Sequence, residues 1–113
     1  MNKKILFLVL LLFLGCSEQI EDNHGEATLV IKSIGNTTTQ KYNVNGVTAY
    51  ELLDFGHEVE LTYGDYLRCI DDVCANKEYV WTFYVNEAES SLGAKQYTVK
   101  RGDRIGFRFD KGG

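Results

Sequence analysis

WTFYVNEAESSLGAKQYTVKRGDRIGFRF, residues Trp81 to Phe109, contains two segments of period-2 alternation joined by a polar, glycine-containing connection. Tyr79, Trp81, Phe83 and Val85 share one face of the first segment, and Ile105, Phe107 and Phe109 share one face of the second. Arg104, Arg108 and Asp110 take the opposite face, so each segment reads as a β-strand with one side in a core and one in water. The intervening Gly93-Ala94, the short apolar run Tyr97-Thr98-Val99 and the turn Arg101-Gly102-Asp103 predict a meander that closes one small sheet. Gly102 supplies the positive φ that a tight turn requires.

These positions resemble a known family. Trp81-x-Phe83-Tyr84-Val85-Asn86, followed by Gly93-Ala94-x-x-Tyr97-x-Val99-x-x-Gly102-Asp103-x-Ile105-x-Phe107, is similar to the C-terminal domain of transcobalamin and intrinsic factor. The same domain recurs alone in prokaryotic surface proteins as the DUF4430, or transcobalamin-like C-terminal, family. The resemblance covers Ala27 to Asp110 and implies a binding module rather than an enzyme, with a corrinoid as the ligand it suggests. In proteins of that type a large helical domain forms the other wall of the site, so corrinoid binding by this chain would need a partner chain or a dimer. One position departs from the pattern: Asn86 is followed by Glu87 where the family usually has glycine, which brings the tight turn there into question.

Upstream, Lys3-Lys4 precedes the apolar run Ile5 to Leu14, and Gly15-Cys16 follows at once. This is the pattern of a lipoprotein signal peptide, residues 1–15, with Cys16 as the lipidated first residue. A conventionally cleaved or uncleaved signal is the rival reading, because Phe13-Leu14 is bulkier than usual ahead of such a site. A run of ten apolar residues is too short to span a membrane, which takes about 20 in a helix. Residues 16–26 read as a polar, acidic tether and residues 27–113 as the domain. The expected location is extracytoplasmic, anchored to a membrane by lipid.

Loss of Lys3 and Lys4 with the signal leaves ten basic against sixteen acidic residues, a net charge of −6. Such a surface excludes nucleic acid as a partner class, since phosphate backbones require a positive footprint. With Cys16 lipidated, Cys69 and Cys74 remain as a pair, and an oxidising compartment would close them into a disulfide stapling a hairpin end. The expected arms of that hairpin are Tyr66 to Ile70 and Lys77 to Asn86, with Asp71-Asp72 as the turn. The competing possibility is a metal site using both thiolates with Asp71 or Asp72. Zinc normally takes a second Cys or His pair, and the chain has only His24 and His57.

The rest of the chain supplies the other elements. Thr28 to Ile34 and Lys41 to Val44 read as strands around a turn at Gly35-Asn36-Thr37. Thr48-x-x-Glu51 is a capping box that opens a short helix, with Ala49, Leu52 and Leu53 as its apolar stripe. Gly56 is placed to end that helix in the left-handed conformation, and His57 to complement its dipole. Val59, Leu61 and Tyr63 alternate as a further strand before a turn at Gly64-Asp65. The order predicts an α+β fold: a small β-grasp-like sheet of mostly antiparallel strands with one short helix. With no proline in the chain, Lys32, Glu58, Glu60 and Arg108 are the expected guards of exposed sheet edges.

Catalytic signatures are absent from the sequence: Ser90-Ser91 has no neighbouring histidine, no glycine-rich phosphate loop occurs, and the carboxylates are scattered. The chain is expected to be a non-catalytic, surface-tethered binding or interaction module without cofactor, its partner an envelope or extracellular protein or a small ligand. The ligand patch is expected at Tyr84 and Asn86, opposite the Trp81 face, together with Ser91, Gly93, Ala94 and Tyr97 in the connection, where backbone amides are expected to be free. A concave, aromatic-lined surface near Gly93 to Tyr97 would favour a small ligand, and a flat one a protein partner.

Overall fold

The computed structural model describes residues 23–112. The signal segment 1–15, the lipidation site Cys16 and tether residues 17–22 lie outside the described residues. Strands β1 (His24–Ser33), β2 (Asn36–Asn45), β3 (Val59–Leu61), β4 (Leu67–Ile70), β5 (Val73–Cys74), β6 (Tyr79–Val85), β7 (Ala88–Glu89) and β8 (Arg104–Lys111) accompany one helix, α1 (Ala49–Gly56). The fold is a small α+β domain, dominated by sheet.

The strands form two sheets, not the single sheet expected. A five-stranded sheet runs in the order β2-β1-β8-β6-β7, and a three-stranded one in the order β3-β4-β5. In the larger sheet the first and last strands lie side by side and parallel, with Leu29 beside Ile105 and Ile31 beside Phe107. Antiparallel hairpins extend it on either side. β1 begins at His24, so Gly25 and Glu26, read above as tether, are already paired with Val44 and Asn43.

Period-2 alternation explains the core. Ala27, Leu29 and Ile31 of β1, Trp81 of β6, and Ile105, Phe107 and Phe109 of β8 project to one face, where Leu52 and Leu53 of α1 meet them. Phe107, Leu29, Leu53, Ile70, Ile105 and Val99 are fully enclosed. Each such side chain contributes about 1.5–3 kcal/mol of transfer free energy. Phe83 stacks on Phe107 at 5.2 Å between centroids and Trp81 tilts against Phe109 at 5.0 Å. The opposite face, with Thr28, Val30 and Lys32 of β1 and Arg104, Gly106 and Arg108 of β8, is open. Lys32 and Arg108 therefore sit near the middle of the sheet and guard no edge; the outer strands are β2 and β7. Glu60 does lie on an outer strand, β3 of the small sheet, paired to Arg68 at 2.9 Å.

The capping box forms as expected. Thr48 Oγ1 accepts from the Glu51 N–H at 3.2 Å, and Glu51 Oε1 accepts from the Thr48 N–H at 2.8 Å. The other first-turn amides are taken by the connection before β8: Ala49 N–H donates to the Tyr97 carbonyl at 2.9 Å and Tyr50 N–H to the Ala94 carbonyl at 3.0 Å. This settles the run Tyr97-Thr98-Val99, which does not pair with β8 as a meander would. It is claimed instead by the helix N-terminus, where unsatisfied N–H groups need acceptors, and by a bridge from Thr98 to Thr48. At the other end Gly56 remains helical and His57 leaves in extended conformation, φ −139°. Gly56 serves close approach, not left-handed capping: a Cβ there would stand 3.1 Å from the Tyr42 hydroxyl.

The small sheet differs in its details as well. Cys69 and Cys74 are direct cross-strand partners and form the disulfide. The returning arm of that hairpin is Val73–Cys74, while the segment after Lys77 crosses into the large sheet as β6. Asp71 and Asp72 make the tight turn with φ of 48° and 72°. The Trp81 indole N–H donates to the Val73 carbonyl at 2.9 Å and so ties the two sheets together. Tyr63, expected on the inner face of β3, lies beyond the strand and is fully exposed.

Candidate functional site

The residues expected to form one ligand patch fall into three places. Tyr84 is on the open face of the large sheet, where the Arg108 guanidinium lies 4.1 Å from its ring centre. Asn86 and Tyr97 converge on Asp103, the buried charged residue among those described, 6% exposed. Tyr97 Oη donates to Asp103 Oδ2 at 2.6 Å, the Lys100 N–H to the same oxygen at 2.8 Å, and Asn86 Nδ2 to Oδ1 at 3.0 Å. Asn86 Oδ1 also accepts from the Arg104 N–H at 2.8 Å, so its amide is fully engaged in holding β6 to the start of β8. Asn86 and Glu87 adopt φ of 53° and 73°, and Val85 pairs with Ala88. The tight turn forms despite the glutamate.

Ser91, Gly93 and Ala94 line a groove on the helix-bearing side of the molecule. One wall is Gly64 to Leu67, the other Glu89 to Gln96, and Trp81, Thr82 and Phe83 of β6 lie between them. Its volume is about 430 Å³, within the range of small-ligand pockets. Tyr66 and Leu92 are exposed at its rim. Lys95 reaches across to Asp65 at 3.4 Å and also sits 5.1 Å from the Tyr50 ring centre. The surface around Gly93 is thus concave and aromatic-lined.

The amides of this wall are less available than expected. Leu92 N–H donates to Ser90 Oγ, Gly93 N–H to Gln96 Oε1, and the Gln96 and Tyr97 N–H groups to the Gly93 carbonyl. The connection is a self-bonded loop whose side chains, rather than its backbone donors, line the groove. Ser90 Oγ bonds to the Leu92 carbonyl, with no histidine beside it.

On the small sheet, His57 Nδ1 and Asp71 Oδ2 form an ion pair at 2.5 Å, and Asp71 Oδ1 accepts from the Glu58 N–H at 2.9 Å. Burial works to raise the Asp71 carboxyl, yet the His57 and Glu58 hydrogen bonds and the imidazolium charge outweigh it and hold its pKa below the ordinary value. The His57 ring therefore serves Asp71 of the small sheet as its side-chain partner. Among the described residues no group of three or more His, Cys, Asp or Glu stands close enough to hold a metal ion. The His57–Asp71 pair alone does not fit a metal centre.

Asp103 and Glu87 escaped the sequence reading. Asp103 follows a turn glycine, where an exposed carboxylate is the ordinary expectation. The signal available was indirect: Asn86 and Tyr97 both carry polar groups beside core positions and need a buried partner.

Residues 46–111 match the family described as a domain of unknown function, DUF4430. The chain belongs to this family. DUF4430 is also the family that the Trp81–Phe109 pattern resembles. Among solved structures, one similar fold is that of a candidate metal-binding protein from Ruminococcus gnavus, at 15% identity and TM-score 0.67, covering 79% of this chain and 99% of that one. Another is haptocorrin in complex with Cbi, at 23% identity and TM-score 0.67, covering 78% of this chain. The match spans 25% of haptocorrin, so this chain corresponds to about a quarter of that protein. No curated protein matches the sequence.

Proposed function

We propose that this DUF4430 chain is a non-catalytic binding module of the transcobalamin C-terminal type and β-grasp-like architecture. Lipid on Cys16 tethers it outside the cytoplasm, and it takes its ligand in the groove between the Gly64–Leu67 and Glu89–Gln96 walls. The observation that supports this reading is the groove itself, which joins aromatic surface at Tyr66, Trp81 and Phe83 to a single cation, Lys95. Aromatic surface beside a few polar groups that fix orientation is what small-ligand sites share, and here Thr82, Ser91 and Gln96 line the groove next to the rings. The ligand would displace the long Lys95–Asp65 contact, a weak one between exposed side chains.

A second reading, a corrinoid ligand, draws on the likeness to the corresponding quarter of haptocorrin, whose structure contains Cbi. A groove of this size covers part of one face of a corrin, so a second chain would complete the enclosure. The test is calorimetric titration of the full chain, held in neutral detergent, with cobinamide and cobalamin, beside Tyr66→Ala and Lys95→Ala variants. Saturable heat that both variants lose supports corrinoid capture in the groove. Heat that survives both variants removes the groove from the function, and no heat sinks unaided corrinoid binding.

A further inference from the structure

On the open face of the large sheet, away from the groove, we propose a second site, one that binds a phosphate monoester between Lys32, Arg104 and Arg108. A depression of about 200 Å³ lies there, and Gly106, without a side chain, leaves room between neighbouring strands beside Tyr84. Lys32 and Arg108 are direct partners on the parallel strands β1 and β8. Two cations side by side repel, so an anion resting between them relieves a cost built into the register.

Glu87 shows what this cluster holds. Its carboxylate accepts from Arg104 Nε at 3.1 Å and from Arg108 Nη2 at 2.9 Å. It does so from a left-handed backbone, φ 73°, that glycine would occupy without strain. The two guanidiniums thus already share one internal anion, and each keeps further N–H donors for another. Lys32 has no ion pair among the described residues. Three cations against one carboxylate leave the lining with a surplus of two positive charges, in a chain whose net charge is −4. A phosphate monoester, about −1.5 to −2 near neutral pH, matches that surplus; a single carboxylate does not.

The test follows backbone amide shifts of the full chain in neutral, phosphate-free detergent as inorganic phosphate is added at about pH 7.5, where the dianion predominates. Ionic strength is held constant with chloride, and acetate serves as the singly charged control. Saturable shifts at Lys32, Tyr84, Gly106 and Arg108 are expected, with affinity falling about tenfold or more in Lys32→Gln, Arg108→Gln. Lys32→Gln alone, at an exposed position, keeps the test valid if the double variant fails to fold. Glu87→Gln should tighten binding severalfold by removing the internal competitor. A parallel arm titrates short-chain phosphatidic acid against short-chain phosphatidylcholine in the same detergent. Saturable shifts with phosphatidic acid alone, lost in Lys32→Gln, assign the phosphate to a lipid headgroup, and saturation by free phosphate without them assigns it to a soluble or polymer-borne monoester. Shifts that fail to saturate, that acetate reproduces, or that persist unchanged in the variants overturn the proposal.

Discussion

Tyr97 and Asp103 meet in a 2.6 Å hydrogen bond that closes the connection over the start of β8. The same Asp103 carboxylate accepts from Asn86 and from the Lys100 N–H, so one buried group joins the β6–β7 turn, the connection and β8. Asp103→Ala leaves those donors without an acceptor and is expected to cost about 3 kcal/mol. Tyr97→Phe keeps the ring and loses one charged hydrogen bond, about 1.5–2 kcal/mol. Urea unfolding checks both, and equal losses in the two variants would contradict this account.

The Cys69–Cys74 link closes a short loop, five positions apart in sequence. On the chain-entropy view its reduction lowers stability by about 2 kcal/mol. Denaturation with and without reductant measures the difference. Because the hairpin contacts the core through Trp81 and Val73, reduction should lower the midpoint while the large sheet still unfolds cooperatively.

Acid should weaken the small sheet first. The folded Asp71 carboxyl titrates below its ordinary 3.8, so at intermediate pH the unfolded chain binds more protons. Its stabilising contribution is complete well above 3.8 and is lost as pH falls through that value toward the depressed folded one. The pair is partly exposed, and its worth is at most about 1 kcal/mol. Asp71→Asn, which tolerates the left-handed turn, should flatten this part of the stability curve between about pH 5 and about pH 3. An unchanged slope would show that the pair contributes nothing.

Two glycines that look alike in sequence should behave differently. Gly102 has φ 86°, and Gly102→Ala is expected to cost about 1 kcal/mol. Gly56 is helical, so Gly56→Ala gains helix propensity while crowding the Tyr42 hydroxyl, and the two effects should cancel to within about 0.5 kcal/mol. Thermal unfolding of both variants compares them directly.

Local patterns were legible in the sequence wherever a single element carried the signal. The Thr48–Glu51 box, the Leu52 and Leu53 stripe, and the alternation of Trp81 and Phe107 all describe residues whose roles are set within one helix or strand. What escaped was non-local. Nothing near Tyr97 announces that its carbonyl caps α1, because the demand comes from amides almost fifty residues earlier. The division into two sheets turns on where the chain leaves Cys74, and two short polar stretches look the same whether they continue a hairpin or cross between sheets. The expected ligand patch was legible as surface at Ser91, Gly93 and Ala94, but Asn86 and Tyr97 had a buried partner that no spacing rule predicts.

The side-by-side placement of β1 and β8 has a mechanical corollary. These strands run in the same direction, so His24 and Lys111 lie toward opposite ends of the sheet. Tension between an anchor ahead of His24 and a load beyond Lys111 would pull the two strands lengthwise past each other. Every hydrogen bond between them would then be strained together, instead of parting one at a time as in a peeled hairpin. A domain held at one end and pulled from the other would resist as a clasp does.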